Sequence, residues 1–93
     1  MSAYFVANVK IHDEDEFKKY LVHVDNTVEK YHGKYLNVNK KPEILEGKWD
    51  YSRLVLLEFP DRKALDKWYH SPEYQDILKI RLSSSDADIV ISE

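Results

Sequence analysis

The chain contains no cysteine. That excludes disulfides, thiol catalysis and thiolate metal sites, and it fits a reducing compartment, so a cytoplasmic location is expected. Glycine and proline are scarce, with 2 and 3 residues respectively in 93. Little of the chain is left for linkers or disorder. Gly33 and Gly47 stand alone, so there is no glycine-rich phosphate loop. The longest apolar runs are about four or five residues, far short of the ~20 that a membrane span needs. The opening Met1-Ser2-Ala3-Tyr4 has neither a basic patch nor a long apolar run and does not read as a signal peptide. Positive charge is not in excess: 14 Lys and Arg face 17 Asp and Glu, for a net charge of −3. Nucleic acid and anionic membrane are therefore not expected partners.

What is present is the composition of an ordinary globular protein, 43% hydrophobic and 33% charged. A single domain over 1–93 is expected. Tyr4 to Ile11 is β-branched and aromatic and reads as a strand. Asp13 with Glu16 forms a capping-box signal, and Phe17, Tyr20, Leu21, Val24, Val28 and Tyr31 recur at helical spacing. The helix should run over about 14–32 and end at Gly33 in the left-handed conformation. Lys34 to Asn39 is a second strand, carrying Tyr35 and Leu36; Pro42 interrupts it, and Glu43 to Glu46 would resume it beyond a kink. Ser52 to Phe59 is the third and most apolar strand, stopped by Pro60. Asp61 starts a helix with Ala64, Leu65, Trp68 and Tyr69; Ser71-Pro72-Glu73 restarts it as a further helix with Tyr74, Ile77, Leu78 and Leu82. Ser83 to Ser85 reads as an exit loop, and Ala87 to Ser92 as the fourth strand.

The order strand, helix, strand, strand, helix, strand is the α+β, ferredoxin-like βαββαβ pattern. Right-handed crossovers put the helices on one face of an antiparallel sheet. The other face is then bare, and Val6, Leu54, Leu56 and Val90 would form an exposed apolar patch. A second copy of the chain, paired face to face under twofold symmetry, would cover it. A homodimer is the expected assembly.

With these segments placed, the chain resembles the domain of unknown function 1330 family, within the dimeric α+β barrel group. The residues that carry the resemblance are Tyr4-Phe5-Val6-Ala7, Tyr31-His32-Gly33-Lys34-Tyr35-Leu36, Leu45-Glu46-Gly47-Lys48-Trp49, Arg53 to Pro60 and Trp68-Tyr69-His70-Ser71-Pro72-Glu73-Tyr74. Together they span nearly the whole chain. The family usually has a second glycine where Lys34 stands, so the turn after the first helix should differ. The resemblance implies a homodimer with facing sheets and no settled activity. Related barrels include cofactor-independent monooxygenases and haem-degrading enzymes.

Eight residues are candidates for ligand binding: Asn8, Tyr35, Trp49, Arg53, Glu58, Trp68, Tyr69 and Tyr74. Asn8 and Glu58 fall on neighbouring strands and would face the space between subunits. A partly desolvated carboxylate there could act as a general acid or base, or the two could be a polar pair at a wet interface. Arg53 and Trp49 flank the start of the third strand and could hold a carboxylate against an apolar wall, or serve as ordinary interface residues. Trp68, Tyr69 and Tyr74 could line the mouth of a cleft, or be core aromatics at helical spacing. The four histidines, His12, His23, His32 and His70, show no ligand spacing, so no metal site is expected. Haem degradation on this fold would use an Asn on the first strand, a Trp on the second helix and a His on the next. Asn8 and Trp68 could fill the first two places, but the helix after Pro72 has no His, and no cofactor is expected. Two readings follow. One is a homodimeric small-molecule-binding protein, with a cleft between sheet and helices for an acidic or aromatic ligand and a cofactor-independent reaction as its enzymatic form. The other is a structural or interaction module without catalytic activity.

Overall fold

Three short polar side chains start the three helices. Asp13 accepts from the Glu16 amide at 3.1 Å and opens α1 (Glu14–Lys30). Asp61 accepts from the Ala64 amide at 2.8 Å and opens α2 (Arg62–Tyr69). Ser71 accepts from the Tyr74 amide at 3.1 Å, donates to the Trp68 carbonyl at 2.7 Å, and so joins the end of α2 to the start of α3 (Pro72–Ser84). Each cap satisfies an amide that the first helical turn leaves without a partner. The reciprocal half of the capping box does not form at Asp13. Its own amide donates to the Ser84 carbonyl at 3.1 Å, tying the head of α1 to the foot of α3.

The strands are β1 (Ala3–Ile11), β2 (Lys34–Asn39), β3 (Arg53–Phe59) and β4 (Ser85–Ser92). The structure, a computed structural model, describes residues 1–93. The sheet is antiparallel with order β2-β3-β1-β4, so β1 and β3 are central. On β1, Ala3, Phe5, Ala7 and Val9 are buried against the helices while Tyr4, Val6 and Asn8 face the other way. The molecule is 33 × 30 × 15 Å in extent. The short dimension holds one sheet and one helical layer, and all three helices lie on one face.

Three segments differ from the sequence reading. No strand resumes at Glu43 to Glu46; the last β2 pair is Asn39 with Leu54, which leaves only Arg53 of β3, and Pro42 has no amide to offer. Ser83 to Ser85 is not an exit loop. The Ser83 and Ser84 hydroxyls donate to the Ile80 carbonyl at 3.0 and 2.6 Å, and Ser85 donates to Arg81 at 2.7 Å. The helix runs to Ser84 with these hydroxyls turned back onto the last turn, and β4 begins at the next residue.

The third difference lies at the end of α1. The left-handed residue is His32, at φ 68°, and not Gly33. Gly33 is required for a different reason. A Cβ there would sit 2.6 Å from Phe59 Cε1 and 2.8 Å from Val28 Cγ1, and both side chains are fully buried. Gly33→Ala should therefore lower stability by about 2 kcal/mol through overpacking. His32→Gly should raise it by roughly 0.5–1 kcal/mol by relieving the left-handed backbone. Urea denaturation of the two variants checks the pair; equal effects at both positions would contradict this assignment.

The core is built around Trp68, which is 0% exposed. Its ring meets Phe5 edge-on at 5.1 Å and lies 5.2 Å from Phe59 and 4.3 Å from Tyr74. The indole Nε1 donates to Thr27 Oγ1 at 3.0 Å, and Thr27 passes the bond to the Val24 carbonyl at 2.7 Å. A buried indole with its N–H satisfied locks α2 to α1.

Candidate functional site

Between the sheet and the helices lies a cavity of about 40 Å³, counted as room for the centres of water-sized spheres. One water needs roughly 10–15 Å³ on that measure, so the space takes a few waters or a compact ligand group. Phe5, Ala7 and Val9 of β1, with Val55 and Leu57 of β3, make its floor. The α1 residues Phe17, Tyr20, Leu21 and Val24 cover it. Twelve of the fourteen lining residues are apolar or aromatic; the other two are Arg53 and Arg81. Towards β2 the cavity meets an open basin of about 310 Å³ containing Asp25 and Val38, and both spaces share Leu21, Tyr35 and Arg53.

The charges here are unusual. Arg81 is only 6% exposed, and its single side-chain hydrogen bond is from Nε to the Tyr74 hydroxyl at 3.4 Å. No carboxylate lies within 4.0 Å of it. The Tyr74 and Tyr20 hydroxyls are 2.9 Å apart. Burial holds the Tyr20 phenol well above its ordinary value, and the Tyr74 neighbour adds to this while Arg81 pulls the other way. Tyr35 is also raised, first by burial and then by a hydrogen bond with Asp25. Arg53 has no carboxylate partner either; its guanidinium stands 5.7 Å from the centre of the Phe17 ring.

The eight candidates do not converge on one place. Tyr35, Arg53 and Trp68 line the cavity. Tyr74 touches it through Tyr20 and Arg81, and Tyr69 packs 5.4 Å from Tyr74. Trp68 and Tyr74 are both 0% exposed, so they are core aromatics as well as neighbours of the cavity. Asn8, Glu58 and Trp49 lie elsewhere. Asn8 pairs with Leu54 and Glu58 with Tyr4 in the register of β1 and β3. Both therefore face the helix-free side and stand four residues apart along the strands, roughly 13 Å. They form no pair. Trp49 lies beside Leu54 and the loop residues Pro42 to Glu46, whereas Arg53 points to the opposite face of β3, because neighbouring strand residues alternate. The same alternation separates Asn8 from Trp68, the two residues that haem chemistry would need together.

The Glu58 carboxyl is held below its ordinary value of 4.5, first by a hydrogen bond from Ser2 and next by one from Lys34, whose Nζ is 3.2 Å away. It is an ordinary ionised group and not a poised acid. A depressed folded-state value contributes stability above about pH 4.5 that is lost as pH falls through the folded value. Glu58→Gln should flatten that acid decline, as read by urea denaturation between pH 3 and 6; an unchanged slope would contradict it. No group of three or more His, Cys, Asp or Glu is arranged to hold a metal ion. No helix is long and apolar enough to cross a membrane.

Arg81 and Tyr20 were not among the candidates. The signal for Arg81 lay in the α3 stripe, where Tyr74, Ile77, Leu78 and Arg81 follow the i, i+3, i+4, i+7 spacing of a buried face, and that for Tyr20 in the α1 stripe with Phe17 and Val24. Leu82, expected inside, is 63% exposed.

Residues 2–93 match the family described as Domain of unknown function (DUF1330). The chain belongs to this family. No curated protein matches it. Among solved structures, this DUF1330 chain is similar to RPA0582, a protein of unknown function from Rhodopseudomonas palustris. The TM-score is 0.84 at 15% identity, over 98% of this chain and 80% of that one. A dimeric ferredoxin-like protein of unknown function from Jannaschia sp. CCS1 aligns with a TM-score of 0.77 at 17% identity, over 100% and 99%. SnoaB, a cofactor-independent oxygenase from Streptomyces nogalater, aligns with a TM-score of 0.69 at 13% identity, over 99% and 91%. These likenesses establish the ferredoxin-like fold of the DUF1330 chain.

Proposed function

We propose that this chain is a homodimeric small-molecule-binding protein of the cytoplasm, one barrel domain over 1–93 with a ligand cleft between sheet and helices. The observation that carries the reading is the apolar cavity with two arginines in its lining and a mouth at Leu21, Tyr35 and Arg53. Such sites combine an apolar wall with a few convergent polar groups. Of the sequence candidates, Tyr35, Arg53 and Trp68 contribute directly, and Tyr69 and Tyr74 support them from behind.

The dimer rests on the other face. Val90 is 61% exposed and Leu36 45%, and Val6, Leu54 and Leu56 are half-buried beside them. Asn8 Oδ1 is buried there without any hydrogen-bond partner, which native interiors rarely tolerate. Tyr51 donates to Asp88 across the same face, tying the loop before β3 to β4. A second copy would bury the aliphatic side chains; the Jannaschia protein with this fold is dimeric. Asn8, Trp49 and Glu58 then belong to the interface side. A cofactor-independent reaction in the cavity is the enzymatic form of this reading, as SnoaB is a cofactor-independent oxygenase with the same fold.

The alternative is an interaction module without catalytic activity. It draws on the full burial of Trp68 and Tyr74 and on the ionised Glu58. Methyl-detected NMR with a library of small acidic and aromatic fragments separates the two. Shifts at Val24, Val55 and Ile89 in the cavity lining support the binding protein. A library that moves none of these methyls sinks it in favour of the module.

A further inference from the structure

Arg81 is a buried cation without a counter-charge. A guanidinium withdrawn from water is strongly disfavoured unless an anion faces it, yet Arg81 offers only Nε to a neutral phenol at 3.4 Å. Its remaining N–H groups have no protein acceptor and are not sealed off, since Asn8 Oδ1 is the one fully buried side-chain polar atom without a partner; Arg81 lines the cavity. Both charged residues in the cavity lining are arginines, and no acid is among them. Arg53 stands at the mouth, also without a carboxylate within 4.0 Å.

We infer that the cavity is built for a small monocarboxylate, with the carboxylate against Arg81 and a short apolar body between the β-sheet floor and α1. This rests on the proposed binding function and specifies its ligand. The planar guanidinium fork matches the two oxygens of a carboxylate. Apolar walls such as Ala7, Val55 and Trp68 exclude a polar body. The size, about 40 Å³, limits the enclosed part to a few carbon atoms; a longer tail leaves through Leu21, Tyr35 and Arg53 into the basin. A second negative group on that tail would meet Asp25, which lines the basin beside Tyr35. One negative charge is therefore favoured over two. Tyr74, whose hydroxyl lies 2.9 Å from that of Tyr20, accepts from Arg81 Nε and leaves the terminal nitrogens for the ligand.

The test compares butyrate with butyramide, its neutral isostere, by NMR titration of the full chain, following the arginine side-chain N–H signals and the Val55 and Ile89 methyls. Butyrate should bind at least about tenfold more tightly than butyramide, the lower range for a hydrogen bond to a charged group. Arg81→Met should abolish that preference. Equal binding of the two probes to the wild type would overturn the carboxylate assignment and leave the cavity reading standing. Binding of neither would overturn both. A preference for butyrate that survives in Arg81→Met would remove Arg81 from the site. Should Arg81→Met fail to fold, Arg81→Lys keeps the charge without the fork, and the wild-type comparison of acid with amide decides the matter.

Discussion

Leu56→Asp is expected to dissociate the proposed dimer, weakening association by on the order of 10³-fold or more while leaving the protomer folded. Leu56 sits on the helix-free face at its centre, directly opposite Val6, which in turn is opposite Val90. In a face-to-face pair this patch is buried on both protomers at once, because a twofold axis brings the same surface together. Each Asp would lose water without gaining a partner, and the two carboxylates would lie close to each other. Leaving a buried charge uncompensated costs about 3–5 kcal/mol, and every 1.4 kcal/mol is tenfold in affinity. The same side chain does little to the isolated protomer, where that face meets solvent. Sedimentation velocity reads the association and circular dichroism the fold. A Leu56→Asp chain that stays dimeric would place the interface elsewhere.

Trp68→Ala should remove most of the stability of the chain. The ring is fully buried and contacts Phe5, Phe59 and Tyr74, and truncating a buried Trp to Ala typically costs about 3–5 kcal/mol. A domain of this size has about 5–10 kcal/mol in all. The variant also strands the Thr27 hydroxyl, which keeps only its bond to Val24. Trp68→Phe should lose less, on the order of 1–2 kcal/mol, because the aromatic packing persists while one hydrogen bond goes. Thermal melts distinguish these outcomes. A Trp68→Ala protein that keeps the wild-type midpoint and only changes ligand affinity would make Trp68 a site residue alone and not part of the core.

The fold was legible because its signals were local and mutually consistent. Asp13, Asp61 and Ser71 announce the three helices, and the stripes from Phe17 to Val28 and from Ala64 to Trp68 give their buried faces. Whether a strand resumed at Glu43 depended on β3 having residues left to pair, which is a tertiary fact. At the end of α3 the serines stay in the helix with their hydroxyls bonded back to carbonyls, whereas serine runs more often mark loops. At the turn after α1, the need for Gly33 came from the approach of Phe59, 26 residues further along, and no local rule reports that.

The candidate site was less legible. Arg53 and Trp49 are near in sequence, but strand alternation sends Arg53 to the cavity and Leu54, beside Trp49, to the open face. Arg81 is hard to single out in sequence because a charged residue on a helix is normally solvated, although its spacing from Tyr74 places it on the buried stripe. The proposed site thus rests on a residue that breaks the apolar pattern, which is where functional residues are expected.

The central claim is that one face of this sheet is covered by helices and the other by a second copy of the chain. Sedimentation equilibrium of the wild-type chain from high micromolar to nanomolar concentration tests it most directly. The account predicts a species of twice the 11.1 kDa chain mass across the micromolar range. A single species of chain mass throughout would contradict it.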